Sequence, residues 1–381
     1  MIHLKYLNKF LWKYRRILIL GLVFILITNI FAIYPAEFVR NALDELIEKL
    51  NSSNSENLSL ILLKYGLLIV LFAILKGVFL YMTRQTIIVM SRKIEYDLKN
   101  EVYDQYQNLS IGFYKKNKTG DLMNRITEDI TKVRMYLGPA VMYSINLTIL
   151  FSLVIYKMCS VSLTLTYYVL FPLPLLAISV YFVSNRINKK SERVQAQLST
   201  VTAIAQESFS GVRIIKSFTN EENTLKVFYE SCKEYTKRQI SLIKIEAMFI
   251  PLIITLIGIS TVLTIYIGGL EVFNGNITTG NIAEFIIYVN MLAWPVASVG
   301  WVTSLIQRAA ASQERINEFL KIKPEIANTV KEKTNINGNI EFEKISLIYS
   351  DTNIQALNNV SFKIKEGNQL GIFGKTGSGK T

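Results

Sequence analysis

The residues whose types and spacing most clearly indicate chemistry stand at the end of the 381-residue sequence. They read G-K-T-G-S-G-K-T and fit G-x-x-x-x-G-K-[ST], the P-loop that binds nucleoside triphosphates. The glycines let backbone N–H groups face the α- and β-phosphates. Lys380 is the expected ligand of the β- and γ-phosphates, and the Thr381 hydroxyl is the expected Mg²⁺ ligand. The predicted site consists of Gly374, Lys375, Thr376, Gly377, Ser378, Gly379, Lys380 and Thr381.

A short apolar run at residues 369–373 directly precedes the loop and favours a buried strand that leads into it. In a complete site a helix begins at the P-loop lysine, and its free N–H groups complete the anion site. The sequence stops at Thr381, so we expect it to supply only the beginning of such a domain. The single histidine and the two cysteines offer no metal constellation, and no catalytic residue is predicted.

The elements that precede this site are strongly apolar. Hydrophobic residues make up 50% of the sequence, and they gather in stretches of roughly 20 residues, the length that crosses a bilayer. We therefore predict membrane-spanning helices at residues 17–38, 58–81, 137–158, 161–183, 249–273 and 282–305. Pro172 and Pro174 lie inside the fourth of these and are expected to kink it.

The net charge of +13 is distributed in a way that favours a membrane surface over a nucleic-acid site. Lysine and arginine concentrate near the N-terminus and in two long polar segments, 84–134 and 186–244, where acidic residues are mixed with them. The short loops on the other side carry few basic residues, so the positive-inside rule places the N-terminus in the cytoplasm. The predicted location is the cell (inner) membrane, and residues 4–14 are expected to lie on its inner surface.

The two polar segments separate the second span from the third and the fourth from the fifth. In each, helices are expected to project roughly 40 Å beyond the membrane, turn and return. Six spans with such hairpins enclose only half of a pathway, so we expect a two-fold dimer.

After the sixth span the sequence changes character. Residues 321–337 are charged and polar and contain Pro324, which indicates a linker. From residue 338 a period of two predicts strands at 340–345 and 356–364. The predicted fold class is an all-α polytopic membrane domain, residues 1–320, a linker, and the N-terminal β fragment of an α/β P-loop ATPase domain, residues 338–381.

This order of parts resembles a half-size ABC exporter over the whole chain. Residues 113–126, which contain F-Y and T-G-D-L-M-N-R-I, resemble the first intracellular coupling region of that family, and residues 206–221 resemble the second. Gly275 and Gly280 before the sixth span, and Arg315-Ile316 after it, also fit. Tyr349 occupies the place of the aromatic residue that stacks on adenine in this family; an ordinary strand tyrosine is the alternative.

The resemblance implies ATP and Mg²⁺ as cofactors and export of a drug, lipid or peptide by alternating access. The partner would be a second half-transporter, in a homo- or heterodimer, together with membrane lipid and no nucleic acid. The family's acidic strand, glutamine loop, signature motif and switch histidine have no counterpart in these residues, so the chain is expected not to hydrolyse ATP by itself. A non-enzymatic subunit that only dimerises is the alternative hypothesis.

Several polar residues lie inside the predicted spans. Lys76 is either a functional group or a long side chain that reaches the inner interface, and we favour the second interpretation. The amides either line a substrate cavity or make hydrogen bonds between helices. They are Asn29, Asn146, Asn290 and Gln307.

Overall fold

A computed structural model of the chain describes residues 2–51, 58–324, 338–349, 353–375, 377 and 378. The chain divides into two units, Met1–Lys323 and Pro324–Thr381. The boundary lies within the predicted linker, residues 321–337, most of which is outside the described residues.

The first unit is helical. After a 3-10 segment at Ile2–Leu7, the helices are α1 (Asn8–Lys13), α2 (Arg15–Asn51), α3 (Leu58–Asn108), α4 (Ile111–Lys116), α5 (Thr119–Asn124), α6 (Ile130–Met135), α7 (Val141–Val161), α8 (Leu163–Leu170), α9 (Pro172–Ser210), α10 (Val212–Ser217), α11 (Glu221–Phe273) and α12 (Thr279–Leu320).

Six helical stretches in the described residues are long and apolar enough to cross a membrane, as judged by length and composition. They are Arg15–Leu50, Leu58–Asn108, Thr119–Val161, Leu163–Ser210, Glu221–Phe273 and Thr279–Leu320. Five of them contain a predicted span, and the fourth contains all but the first two residues of the span predicted at 161–183, so the predicted polytopic helical fold is confirmed. The protein is a multi-pass membrane protein.

Most of the long helices extend well past their apolar segments on one side, which we call the extension side. There α3 returns through the short helices α4 and α5, and α9 returns to α11 through α10. The opposite, short-loop side contains tight connections. This alternation follows from the sequence, because the apolar segments are close together on one side and are separated by long amphipathic helices on the other.

The turn between α11 and α12 is specified by local chemistry. Gly275 adopts φ +74°, its N–H bonds the Val272 carbonyl at 3.0 Å, and the Asn276 N–H bonds the Glu271 carbonyl at 2.9 Å. These two bonds form a Schellman motif, which ends α11. Three residues later the Thr278 side chain caps α12 in a capping box with Asn281.

The fourth stretch is interrupted where the sequence places its prolines. Helix α8 ends at Leu170 and α9 starts at Pro172, with Phe171 between them. A proline in the first turn of a helix leaves no further backbone donor unsatisfied, so Pro172 is tolerated at this position.

The N-terminal segment packs against protein on its apolar face. Leu4, Leu7 and Phe10 are buried in a cluster that includes Met90 of α3 and Phe319 of α12. Lys9 and Lys13 pair with Glu101 and Asp97 of α3, with N–O distances of 2.6 Å. The amphipathic pattern of residues 4–14 predicts a position on the inner membrane surface. In the structure, the apolar side of this pattern faces α3 and α12.

The second unit contains a two-stranded antiparallel sheet of β1 (Ile340–Ile348) and β2 (Gln355–Ile364). Phe342 lies opposite Phe362, with ring centroids 4.3 Å apart. Both strands were predicted from their period. The strand expected at residues 369–373 is a correction: these residues are irregular and exposed, because none of the strands in the described residues pairs with them.

Candidate functional site

The P-loop is described in part. Gly377 adopts φ +83°, a conformation that favours glycine, and the Ser378 N–H bonds the Lys375 carbonyl at 3.2 Å. An added Cβ at Gly377 would meet nothing within 4 Å, so the loop is open on that face. The remaining predicted phosphate and metal ligands, Thr376, Gly379, Lys380 and Thr381, lie outside the described residues.

Tyr349 follows directly after β1, and its side chain is partly exposed. Its backbone N–H bonds the Ile354 carbonyl at 3.0 Å, and its carbonyl accepts from Asn353 at 2.8 Å. These bonds close the connection between β1 and β2. The adenine-stacking role of Tyr349 stays a prediction.

Two of the polar residues in the spans bond each other. The Asn29 Nδ2 atom of α2 donates to Asn146 Oδ1 of α7 at 2.9 Å and to the Ile25 carbonyl at 2.8 Å. Asn29 is buried, so this contact fits the role of an interhelical hydrogen bond. Asn290 instead bonds the Ile286 carbonyl of its own helix at 2.8 Å, and both Asn290 and Lys76 are exposed.

Gln307 borders a cavity of about 240 Å³ between α9 and α12. Its other polar lining residues include Ser184, Asn185 and Thr303. An apolar cavity of about 350 Å³, lined by residues such as Phe151 and Leu173, shares wall residues with it. Together they offer an apolar volume next to hydrogen-bonding groups, as an amphipathic ligand requires.

A polar cluster at the short-loop side was missed by the sequence interpretation. The Glu284 side chain of α12 is 1% exposed, accepts from Tyr288 at 2.8 Å and pairs with Arg40 of α2 at 3.1 Å. Glu37 of α2 pairs with Lys157 of α7. The sequence nevertheless contains a signal for this cluster. Glu37, Arg40 and Asp44 stand at i, i+3 and i+7 and so share one face of α2, and Glu284 is a charged residue within an apolar span.

The same face of α2 caps α12. Asp44 accepts from the Thr278 hydroxyl at 2.7 Å and from the Gly280 N–H at 2.9 Å. A Cβ at Gly280 would lie 2.5 Å from the Arg40 carbonyl oxygen and 2.6 Å from Asp44, so only glycine allows this approach. Gly280 is one of the positions at which the sequence resembles the ABC exporter family. The close packing of α2 against α12 explains why glycine is needed there.

The first predicted coupling region lies beside the extension-side end of α12. Tyr106 and Phe113 surround Phe319, with ring centroids at 4.6 and 6.0 Å, and the Arg125 guanidinium lies 5.6 Å from the Phe319 ring. The Tyr106 hydroxyl donates to the Leu122 carbonyl at 2.7 Å. Burial raises the pKa of Tyr106 to about 12, so this donor stays protonated at neutral pH.

Asp129, immediately after this region, is buried against α12. Its carboxylate accepts from Ser312 at 2.9 Å and from Arg315 Nε at 2.9 Å, and Arg315 makes a second bond to it. Burial alone raises the pKa of the Asp129 carboxyl, but the bonds from Arg315 and Ser312 more than offset this effect. The pKa therefore lies below its ordinary value, and Asp129 is ionised at neutral pH.

The second predicted coupling region is α10 and its flanks. The Lys216 ammonium pairs with Glu221 at 2.8 Å across the turn that follows α10. Phe209 and Phe218, on either side, are each 79% exposed, and Ile214 is exposed as well. Large apolar side chains at such a turn form a surface suited to a protein partner.

The described residues of the first unit thus contain six apolar helical stretches with two helical excursions on the extension side. The chain belongs to the family whose model, the ABC transporter transmembrane region, matches residues 18–296.

Curated relatives cover nearly the whole chain. It is 28% identical over 365 residues to the probable multidrug resistance ABC transporter ATP-binding/permease protein YheI of Bacillus subtilis, covering 95% of this chain and 61% of the relative. It is 32% identical to the multidrug resistance-like ATP-binding protein MdlA of Buchnera aphidicola subsp. Baizongia pistaciae, covering 94% and 62%. The ATP-dependent lipid A-core flippase of Pseudomonas fluorescens is 27% identical over 83% of this chain and 52% of the flippase. The chain thus spans about three fifths of the length of its first relatives.

Proposed function

We propose that this chain is part of an ATP-driven exporter subunit that moves a hydrophobic or amphipathic compound out of the cytoplasm or the inner leaflet. The observation that carries the proposal is the contact between the first coupling region and the end of α12. Through this contact a movement on the extension side reaches a helix that borders both cavities. The relatives with multidrug and lipid A names support a drug or lipid as substrate.

The cofactor pair is ATP with Mg²⁺. The left-handed, open Gly377 and the turn from Lys375 to Ser378 fit a loop that wraps phosphate with backbone N–H groups. Lys380 would hold the phosphates and Thr381 the metal, while Tyr349 would cover the adenine. ATP binding and hydrolysis supply the free energy for transport.

The working form is a dimer with a second half-transporter, in the inner membrane with the extension side in the cytoplasm. Exposed Phe209, Ile214 and Phe218 support a partner contact at the second coupling region. Closure of two nucleotide-binding domains would move both coupling regions and turn the cavities between the spans toward the outside.

The experiment uses the natural gene product, purified with lipid, and first determines its intact mass. ATP binding and ATP hydrolysis are then measured with Lys380→Ala and, as a matched control outside the loop, Lys365→Ala, a substitution of an exposed lysine. We expect Lys380→Ala to lose ATP binding, because the phosphates lose their charged ligand, and Lys365→Ala to keep it. A natural product of about 43.5 kDa that dimerises without binding ATP would support the non-enzymatic alternative instead.

A further inference from the structure

The helix between the first coupling region and the third span is not uniform. Residues Arg125–Asp129 and Tyr136–Ala140 form two π turns, and the regular helix α6 lies between them. Such turns are rare, occur often at functional sites and mark places where a helix bends. The second π turn contains Pro139, whose missing N–H removes one helical hydrogen bond.

Helix α6 contacts both α12 and α3. Ile130 and Val133 are buried in the cluster that contains Ile316 and Phe319 of α12. On the other side Arg134 pairs with Glu95 of α3 at 3.4 Å.

A polar contact joins the end of the first π turn, directly before α6, to α12: it is the Asp129 cluster, formed by Asp129, Ser312 and Arg315. Asp129 is the last residue of the first π turn, and its side chain is 1% exposed. Its carboxylate accepts two hydrogen bonds from the guanidinium group of Arg315. Planar two-bond pairing fixes orientation as well as distance. A buried carboxylate that loses its partner is strongly destabilised, so the two helices separate only at a high cost in free energy.

Two further contacts continue this connection along the end of α12. Phe319 is surrounded by Tyr106, Phe113 and Arg125, and Gln105 donates to the Ile322 carbonyl at 2.6 Å. The last turns of α12 are therefore held by side chains of the first coupling region and of α3.

We infer that Asp129 and Arg315 are positioning residues that make the end of α12 move together with the first coupling region, as one body, when nucleotide binds. The π turn at Tyr136–Ala140 is the joint that lets this body move relative to the third span. This inference rests on the proposed function, and it assigns the transmission of movement to α12, the helix that borders both cavities.

The test measures distances between spin labels in the natural gene product in lipid nanodiscs, with labelled subunits diluted by an excess of unlabelled protein. The native cysteines of the gene product, which include Cys159 and Cys232, are replaced by serine. One label pair, at the exposed residues Lys118 and Glu318, spans the contact, and a second pair, at Lys118 and the exposed Tyr156, spans the joint. Both distances are measured without nucleotide and with ATP.

The variants are Asp129→Asn and Arg315→Gln, with Arg315→Lys as a variant that retains the charge but not the fork. Glu128→Gln is the matched control, because Glu128 is the neighbouring carboxylate and its side chain is 63% exposed. We expect the 118–318 distance to stay fixed on ATP addition in the unsubstituted protein and in the control, while the 118–156 distance shifts. In Asp129→Asn and Arg315→Gln, ATP should shift the 118–318 distance.

A 118–318 distance that shifts with ATP in the unsubstituted protein would overturn the inference. A distance that stays fixed in Asp129→Asn, with only a lower melting temperature, would also overturn it, because the pair would then serve stability alone. If the unsubstituted protein neither binds ATP nor changes either distance, the proposed function itself fails, and this outcome is distinguishable from the other two.

Discussion

At the scale of single residues, the contacts that matter most join positions far apart in the sequence. Asp44 and Gly280 meet across the short-loop side, and Asp129 and Arg315 meet across the extension side. Both use a carboxylate of one helix to satisfy donors of another. The charged residues were visible in the sequence, but their partners were not, because no local pattern specifies which of many distant arginines or helix ends a carboxylate meets.

Gly280→Ala should destabilise the first unit. The new Cβ would lie 2.5 Å from the Arg40 carbonyl oxygen, which is backbone and cannot rotate away. We expect a loss of about 1–3 kcal/mol, as for other overpacked sites. Melting temperature in detergent is the measurement.

The matched control is Gly77→Ala in α3, where an added Cβ meets nothing within 4 Å. Alanine is the better helix former by about 1 kcal/mol, so this variant should be as stable as the unsubstituted protein or more so. Equal effects of the two substitutions would contradict the packing explanation.

The stability contributed by the Asp129 cluster should depend on pH. Because the folded-state pKa of Asp129 is below its value in the unfolded chain, its contribution is complete above the unfolded-state pKa of about 3.9 and is lost as pH falls through the folded-state value. The stability difference between the unsubstituted protein and Asp129→Asn should therefore be largest near neutral pH and shrink in acid. Melting curves at several pH values would measure it, and a difference that grows in acid would refute this assignment.

At the scale of elements, the spans were predictable and several placements were not. Apolar stretches of bilayer length identified every long helix, and Pro172 marked the break between α8 and α9. The amphipathic N-terminal pattern indicated a helix, but amphipathicity alone does not say whether its apolar face meets lipid or protein. The strand expected at residues 369–373 was wrong because strand formation depends on a neighbouring strand, which an apolar run does not provide.

Phe10→Ala should destabilise the junction of α1, α3 and α12. Phe10 is 6% exposed, and truncation of a buried phenylalanine typically costs about 3–5 kcal/mol. Trp12→Ala, on the same helix, is the control, because Trp12 is 68% exposed and exposed substitutions usually change stability by about 0.5 kcal/mol or less.

Thermal unfolding in detergent compares the two variants. If Trp12→Ala lowers the melting temperature as much as Phe10→Ala, the burial of the apolar face against α3 and α12 is not what stabilises this helix.

At the scale of the whole molecule, the chain combines a helical unit with a β unit that has a much smaller core. A two-stranded sheet buries little apolar surface and is marginal by itself. The membrane unit was predictable in class and helix order from hydropathy, and the nucleotide site stays a prediction from one motif. The arrangement of coupling residues around Phe319 was not, because it depends on tertiary packing of four separate chain segments.

Limited proteolysis should cut the 381-residue chain between Lys321 and Gly338, because this charged segment joins the two units and contributes no predicted span. We expect a fragment that retains all six spans, identified by mass. A C-terminal unit that resists protease and is protected further by ATP would contradict the prediction.

The burial of the N-terminal helix also has a consequence for biosynthesis. Phe10 is synthesised early, but Ile316 and Phe319, which belong to the same buried cluster, are synthesised about 300 residues later, which takes about 15–60 s at about 5–20 residues per second. During this interval the apolar face of the helix lacks its α12 contacts, and the headgroup layer of the bilayer is the nearest surface that can accept it. We expect the nascent helix to rest on lipid until translation of α12 is complete. Its apolar face would therefore contact lipid first and the protein cluster with α12 afterwards.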